Sequence, residues 1–127
     1  MALELNRQGW DVTAVDEKED VLQRLGENWS GGFVVGHGMD MAVLREAGIE
    51  EADAVVVATD GDNTNLVIAQ VAKKRFGIET TVVRVLDPAR AALYEDLGLW
   101  TVCPTQAAIK ILTEAVTSSA DRAEAPA

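Results

Sequence analysis

The run AVVVATDGDNTNLVIAQVAKKRFG, from Ala54 to Gly77, decides the fold. Ala54 to Ala58 are small or branched apolar residues without a charge, too few for a helix, and suit a parallel strand covered on both faces. The polar turn from Thr59 to Asn65 follows, and then an apolar pattern of helical spacing. Lys73, Lys74 and Arg75 suit the negative end of that helix, and Gly77 stands where a left-handed cap residue belongs. Strand, polar turn and helix make half of a βαβ unit. Ligands of open α/β sheets bind at the carboxyl ends of the strands, so the turn at 59–65 is the first place to look for one.

Working outward, the same alternation recurs. Strands are expected at 10–15, 33–35, 54–58, 80–86 and 100–103, separated by short helical patterns that end at Gly26, Gly48, Gly77 and Gly98. Asp40 is placed to cap the helix that follows it. Asp87-Pro88 opens another, with the acid as cap and proline at the first helical position. A last helix is expected from Gln106 to about Val116, with Ala108, Ile111, Leu112 and Ala115 along one face. That face is either a dimer or crossover element or packs on its own sheet. Residues 117–127 are small and polar and are expected to be a disordered tail or linker. The predicted fold class is α/β, a doubly wound parallel sheet over residues 1–116.

At 127 residues the chain holds one domain at most. Its hydrophobic content of 48% argues for a packed core, yet no apolar run approaches the ~20 residues of a membrane span. The net charge of −10 disfavours nucleic acid and anionic membrane surfaces as partners, without excluding a nucleotide held by local N–H groups. The single cysteine, Cys103, excludes a disulfide framework, and the single histidine makes a poor metal site. No nucleophile–base pair is visible, and no residues remain for a substrate domain, so an enzyme is not expected.

Several stretches together resemble one family. The run from Val43 to Thr59, then Asp62-Asn63-Thr64-Asn65, Arg84-Val85-Leu86-Asp87-Pro88-Ala89-Arg90 and Cys103-Pro104-Thr105, are similar to the TrkA-N domain, also called RCK or KTN. These are regulatory nucleotide-binding domains of bacterial potassium uptake systems and channels. The resemblance covers roughly residues 1–116. It implies a Rossmann-like fold that binds NAD, NADH or an adenine nucleotide such as ATP or ADP, forms a homodimer or higher oligomer, and acts on a membrane potassium transporter or channel subunit from the cytoplasm. It also implies that the family's central first strand and G-x-G-x-x-G turn would precede Met1. The sheet is then expected to close by pairing 10–15 with 54–58, or with a strand from a second chain.

Six residues are candidate ligand contacts. Asp16, at the end of a strand, suits a ribose diol; its plainer reading is a helix cap. His37, in a Gly-His-Gly turn, stands where the family usually has an acid, and either meets adenine or is an ordinary loop histidine. Thr59, Asp60 and Asn63 either meet the ribose or nicotinamide side or serve the following helix, with Asp60 or Asp62 as its cap. Asn65 faces either ligand or solvent. Arg84 is a lone charge in an apolar strand, and reaches a phosphate, a partner's acid, or an internal partner such as Asp87 or Glu95. Arg90 is assigned to a solvated helix face. The alternatives to nucleotide-dependent regulation are an interaction module that binds no nucleotide and a fragment of an NAD-dependent dehydrogenase.

Overall fold

A computed structural model describes residues 1–124, with side chains described as far as Ala120. Helices and strands alternate: α1 (Ala2–Arg7), β1 (Thr13–Asp16), α2 (Val21–Leu25), β2 (Gly32–Val35), α3 (Met41–Glu46), β3 (Ala54–Val57), α4 (Asp62–Gln70), β4 (Thr80–Arg84), α5 (Pro88–Asp96), β5 (Trp100–Val102) and α6 (Pro104–Glu124). The helix expected over 62–76 is borne out with one change of pitch. After Gln70 it widens into a π turn, Val71–Arg75, before Gly77 turns the chain at φ +69°.

All pairing is parallel, but the strands form two sheets. β1 pairs with β2, in register Thr13 to Gly32 and Asp16 to Val35. β4 lies between β3 and β5, with Val57 opposite Val83 and Arg84 opposite Val102. Within each sheet, strands consecutive in the chain lie side by side, and β4 is the only strand with a neighbour on both edges among the described residues. Direct pairing of 10–15 with 54–58 is thus not found. Val56, in the middle of β3, stays 38% exposed. Coverage of β3 on both faces is therefore only partial.

The core lies against the three-stranded sheet. Val57, Ile68, Ala69, Val83, Val85, Ala91, Tyr94 and Leu99 form one cluster, and Leu44, Ile49, Ala72 and Ile78 form a second beneath α3 and the π turn. Each Val, Leu or Ile side chain among these contributes roughly 1.5–3 kcal/mol through burial. The Gly36-His37-Gly38 turn after β2 packs against α3 and α4. A Cβ on Gly36 would lie 2.5 Å from Val43 of α3, and one on Gly38 would lie 2.9 Å from Ile68 of α4. Both neighbours of His37 must be glycine for that approach.

The final helix runs beyond its expected end near Val116, to Glu124, so residues 117–124 are helical rather than a disordered tail; residues 125–127 lie outside the described residues. Its apolar face does not pack on the sheet. Ile109, Ile111, Leu112 and Val116 are between 54% and 71% exposed. No described helix is long and apolar enough to cross a membrane.

Candidate functional site

The carboxyl ends of the strands carry two groups of polar residues, one on each sheet. On the first, Asp16 is the last residue of β1 and is half-buried. Its Oδ1 accepts the backbone N–H of Lys18 at 2.8 Å, which fixes the turn and leaves Oδ2 without a protein donor among the described residues. Asp16 caps no helix, because α2 starts only at Val21. Beside it, His37 accepts the Met39 N–H on Nδ1 at 3.0 Å, so the ring proton sits on Nε2 and faces Glu17 Oε1 at 3.0 Å. Both nitrogens of His37 are thereby engaged. Glu17 escaped the sequence reading, since a surface acid after a strand carries no pattern of its own.

On the second sheet, the β3–α4 turn is tied to the β4–α5 turn. Arg84 crosses from the end of β4 and donates through Nη2 to Ala58 O (3.1 Å) and Thr59 O (2.9 Å). Its nearest acid is Asp60 at 3.9 Å, and that carboxylate is fully exposed. The internal partners expected for Arg84, Asp87 and Glu95, are not the ones it takes. Backbone carbonyls hold it instead, and its Nε is buried without a partner. Asn65 faces neither ligand nor solvent. At 1% exposure, it binds Thr59 and the Arg84 carbonyl.

Neither Asp60 nor Asp62 caps α4, contrary to expectation. The cap is Gly61, without a side-chain bond, and Asp62 is already in the helix. The Asp62 carboxylate instead accepts Leu86 N–H at 2.8 Å and Asp87 N–H at 3.0 Å. The Leu86 N–H is the main reason its pKa lies below the ordinary value; the Asp87 N–H and the cations Arg90 and Arg84 act the same way, against a smaller opposing effect of burial. Asn63 accepts from Arg90 at 2.9 Å, so Arg90 joins the two turns rather than only a solvated face. Tyr94 donates to Asp62 O at 2.8 Å from within the core, and burial raises its phenol pKa.

The six sequence candidates thus fall into two sets: Asp16 and His37 at the end of the β1–β2 pair, and Thr59, Asp60, Asn63 and Arg84 at the end of β3 and β4. Among the described residues no cluster of His, Cys, Asp or Glu is arranged to hold a metal. The chemistry available is recognition: carboxylate acceptors on one side, and a guanidinium with exposed loop groups on the other.

A parallel, doubly wound sheet with polar turns at its carboxyl ends defines a Rossmann-like domain. The model of the TrkA-N domain family matches residues 1–104, and the chain belongs to that family. It is 43% identical over 102 residues to the Trk system potassium uptake protein TrkA of Streptomyces coelicolor, a match that covers 80% of this chain and 46% of the relative. With the protein of the same name from Vibrio alginolyticus it is 37% identical over 87 residues, covering 68% of this chain and 19% of the relative. The chain therefore spans less than half the length of these curated relatives. Among solved structures, the TrkA-N domain of the inner membrane protein ybaL from Escherichia coli superposes with a TM-score of 0.76 at 13% identity, covering 87% of this chain and 82% of that one. The AMP-bound Kef CTD of Shewanella denitrificans gives 0.75 at 24% identity, covering 94% and 77%.

Proposed function

We propose that this chain is the nucleotide-binding part of a non-catalytic regulatory subunit or domain that controls a Trk- or Ktr-type potassium transporter or channel from the cytoplasmic side. The observation that carries this reading is Asp16. It ends the parallel strand β1, half-buried, with one carboxylate oxygen fixed by Lys18 N–H and the other, without a protein donor among the described residues, available to a ribose hydroxyl. A second carboxylate hydrogen bond would order the diol of NAD or NADH and disfavour a 2′-phosphate. AMP, ADP and ATP share that ribose, and the AMP in the Kef neighbour supports an adenine nucleotide as an alternative to NAD. With both nitrogens of His37 engaged, its contribution is the ring face, offered to the base. Asp60, Asn63 and Arg84 meet the distal part of the ligand.

Regulation of this kind requires the nucleotide to bind two arrangements of the subunits with different affinity. The uncovered apolar face of α6 supports a homodimer or larger ring in which those arrangements differ. One observation favours the second reading, an interaction module without nucleotide. The apolar face of α6 carries Ile109, Ile111, Leu112 and Val116 at 54% to 71% exposure, a surface that suits a protein partner without any nucleotide.

Calorimetric titration with NAD, NADH, ATP and ADP, repeated on Asp16→Ala, tests both. Binding near micromolar, about −8 kcal/mol, that weakens at least tenfold in the variant is the expected result. No heat with any of the four ligands would favour the interaction module for this chain.

A further inference from the structure

We propose that Asn65 is the positioning residue of the ligand loop, and that Thr59, in spite of its place at the end of β3, is part of the scaffold rather than a ligand contact. The proposal takes its ligand, a nucleotide, from the reading above, but the arrangement stands on geometry alone. A carboxamide has two acceptor sites and two N–H donors. In Asn65 all four are used, and all at the ends of β3 and β4. Oδ1 accepts the Thr59 N–H at 2.9 Å and the Thr59 hydroxyl; Nδ2 donates to Thr59 O and Arg84 O, each at 3.0 Å.

Arg84 closes the ring by returning its Nη2 to Thr59 O. The N–H, carbonyl and hydroxyl hydrogen of Thr59 are therefore all taken within the protein, and its Oγ1 also lies 3.4 Å from Gly61 N. With Thr59 taken, the loop and first turn of α4 offer a ligand Asp60, the Asn63 amide N–H and the first-turn backbone N–H groups, which have no partner among the described residues. An amide is required at this position because both kinds of partner are present. A carboxylate would set an acceptor against two carbonyl oxygens, and an aliphatic residue would leave the Thr59 N–H and two carbonyls to water. Asn65 is 1% exposed, so water does not readily replace it.

The test uses the 127-residue chain, as wild type, Asn65→Asp and Thr59→Ala, and reads NAD affinity by calorimetry and amide protection across residues 59–61. In Asn65→Asp the loop is expected to lose protection, and NAD affinity to fall, about tenfold near pH 8. Both should recover in part toward about pH 5, where a protonated carboxyl donates in place of Nδ2. The charged groups on the elements around this side chain are Arg84 from β4, Asp60 from the loop, Asp62 from the first turn of α4, and Asp87 and Arg90 at the start of α5. Wild type carries none of this pH dependence at position 65. Thr59→Ala is expected to stay within about threefold of wild type for NAD.

Wild-type behaviour of Asn65→Asp near pH 8, or a loss that does not recover on acidification, overturns the proposal. So does a folded Thr59→Ala that loses NAD binding tenfold or more, which would make Thr59 a ligand contact; this variant decides the matter if Asn65→Asp does not fold. If wild type binds no NAD, NAD fails as the ligand instead, and ADP or ATP takes its place in the affinity test. The protection of the loop in Asn65→Asp then judges Asn65 by itself.

Discussion

The β1–β2 pair and the β3–β4–β5 sheet are built from the same parallel strand-and-helix units, yet only the second carries a core. Every fully buried apolar residue among those described falls between Leu44 and Leu99. The strands of the first pair are at best half-buried, and Val35 at the end of β2 is 51% exposed. The difference is one of neighbours rather than residue type. Val83 and Val85 are covered because β4 has a strand on each side and α4 and α5 packed on it, whereas β1 has a partner on one edge only. The polar turns follow the same division. Those after β3 and β4 are tied together by Arg84, Asp62, Asn63 and Asn65, while Asp16 and His37 hold only their own turns and Glu17.

The sharpest way to break this comparison is a matched pair of truncations. Val83→Ala is expected to cost about 2 kcal/mol in urea unfolding, and Val15→Ala under about 1 kcal/mol. Equal losses would mean that β1 is as well covered in solution as β4. Capping gives a smaller contrast. The Asp40 carboxylate accepts Ala42 N–H at 2.9 Å at the start of α3, where the second core cluster begins, whereas Asp20 precedes α2 with no such bond. Asp40→Ala should cost about 1 kcal/mol and Asp20→Ala almost nothing.

Smallest is the tie between the two turns. Asp62→Asn is expected to lose about 0.5–1 kcal/mol near neutral pH, since its two bonds to backbone N–H are open to water. Because the folded-state pKa of Asp62 is depressed, its contribution is complete above the unfolded value of about 4 and is lost as pH falls through the lower folded value. The variant's stability should therefore decline less steeply than wild type below about pH 4. An identical acid limb in the two proteins would remove Asp62 from the account.

Much of the fold was legible because its signals are local. Apolar runs of strand length, glycines at positive φ, and the caps Asp40 and Asp87 each act within a few residues, and five strands and α4 form in the expected order, although β1 starts three residues later than expected, β4 ends two earlier, and the π turn that closes α4 carried no signal. Asp16 was legible for the same reason, as an acid at the end of a strand. The partners of Asn65, Asp62 and Arg84 were not. Apart from the Asn65–Thr59 bonds, which span six positions, their backbone partners lie 19 to 26 positions away, and no spacing in the chain encodes which of several polar groups will meet when two strand ends are brought side by side. Helix propensity across Thr117 to Glu124 is moderate, so the sequence placed the end of α6 too early.

By itself, then, the sequence determined the alternating α/β class, the family, and the polar turns at the strand ends, because periodicity and turn chemistry are properties of neighbouring residues. Only the tertiary structure decided that the strands divide into two sheets, that the core gathers on one of them, and that the loop after β3 is fixed from within by a buried amide. Each of those depends on which edges and polar groups find partners, and a partner is supplied by the fold and not by the chain's local pattern.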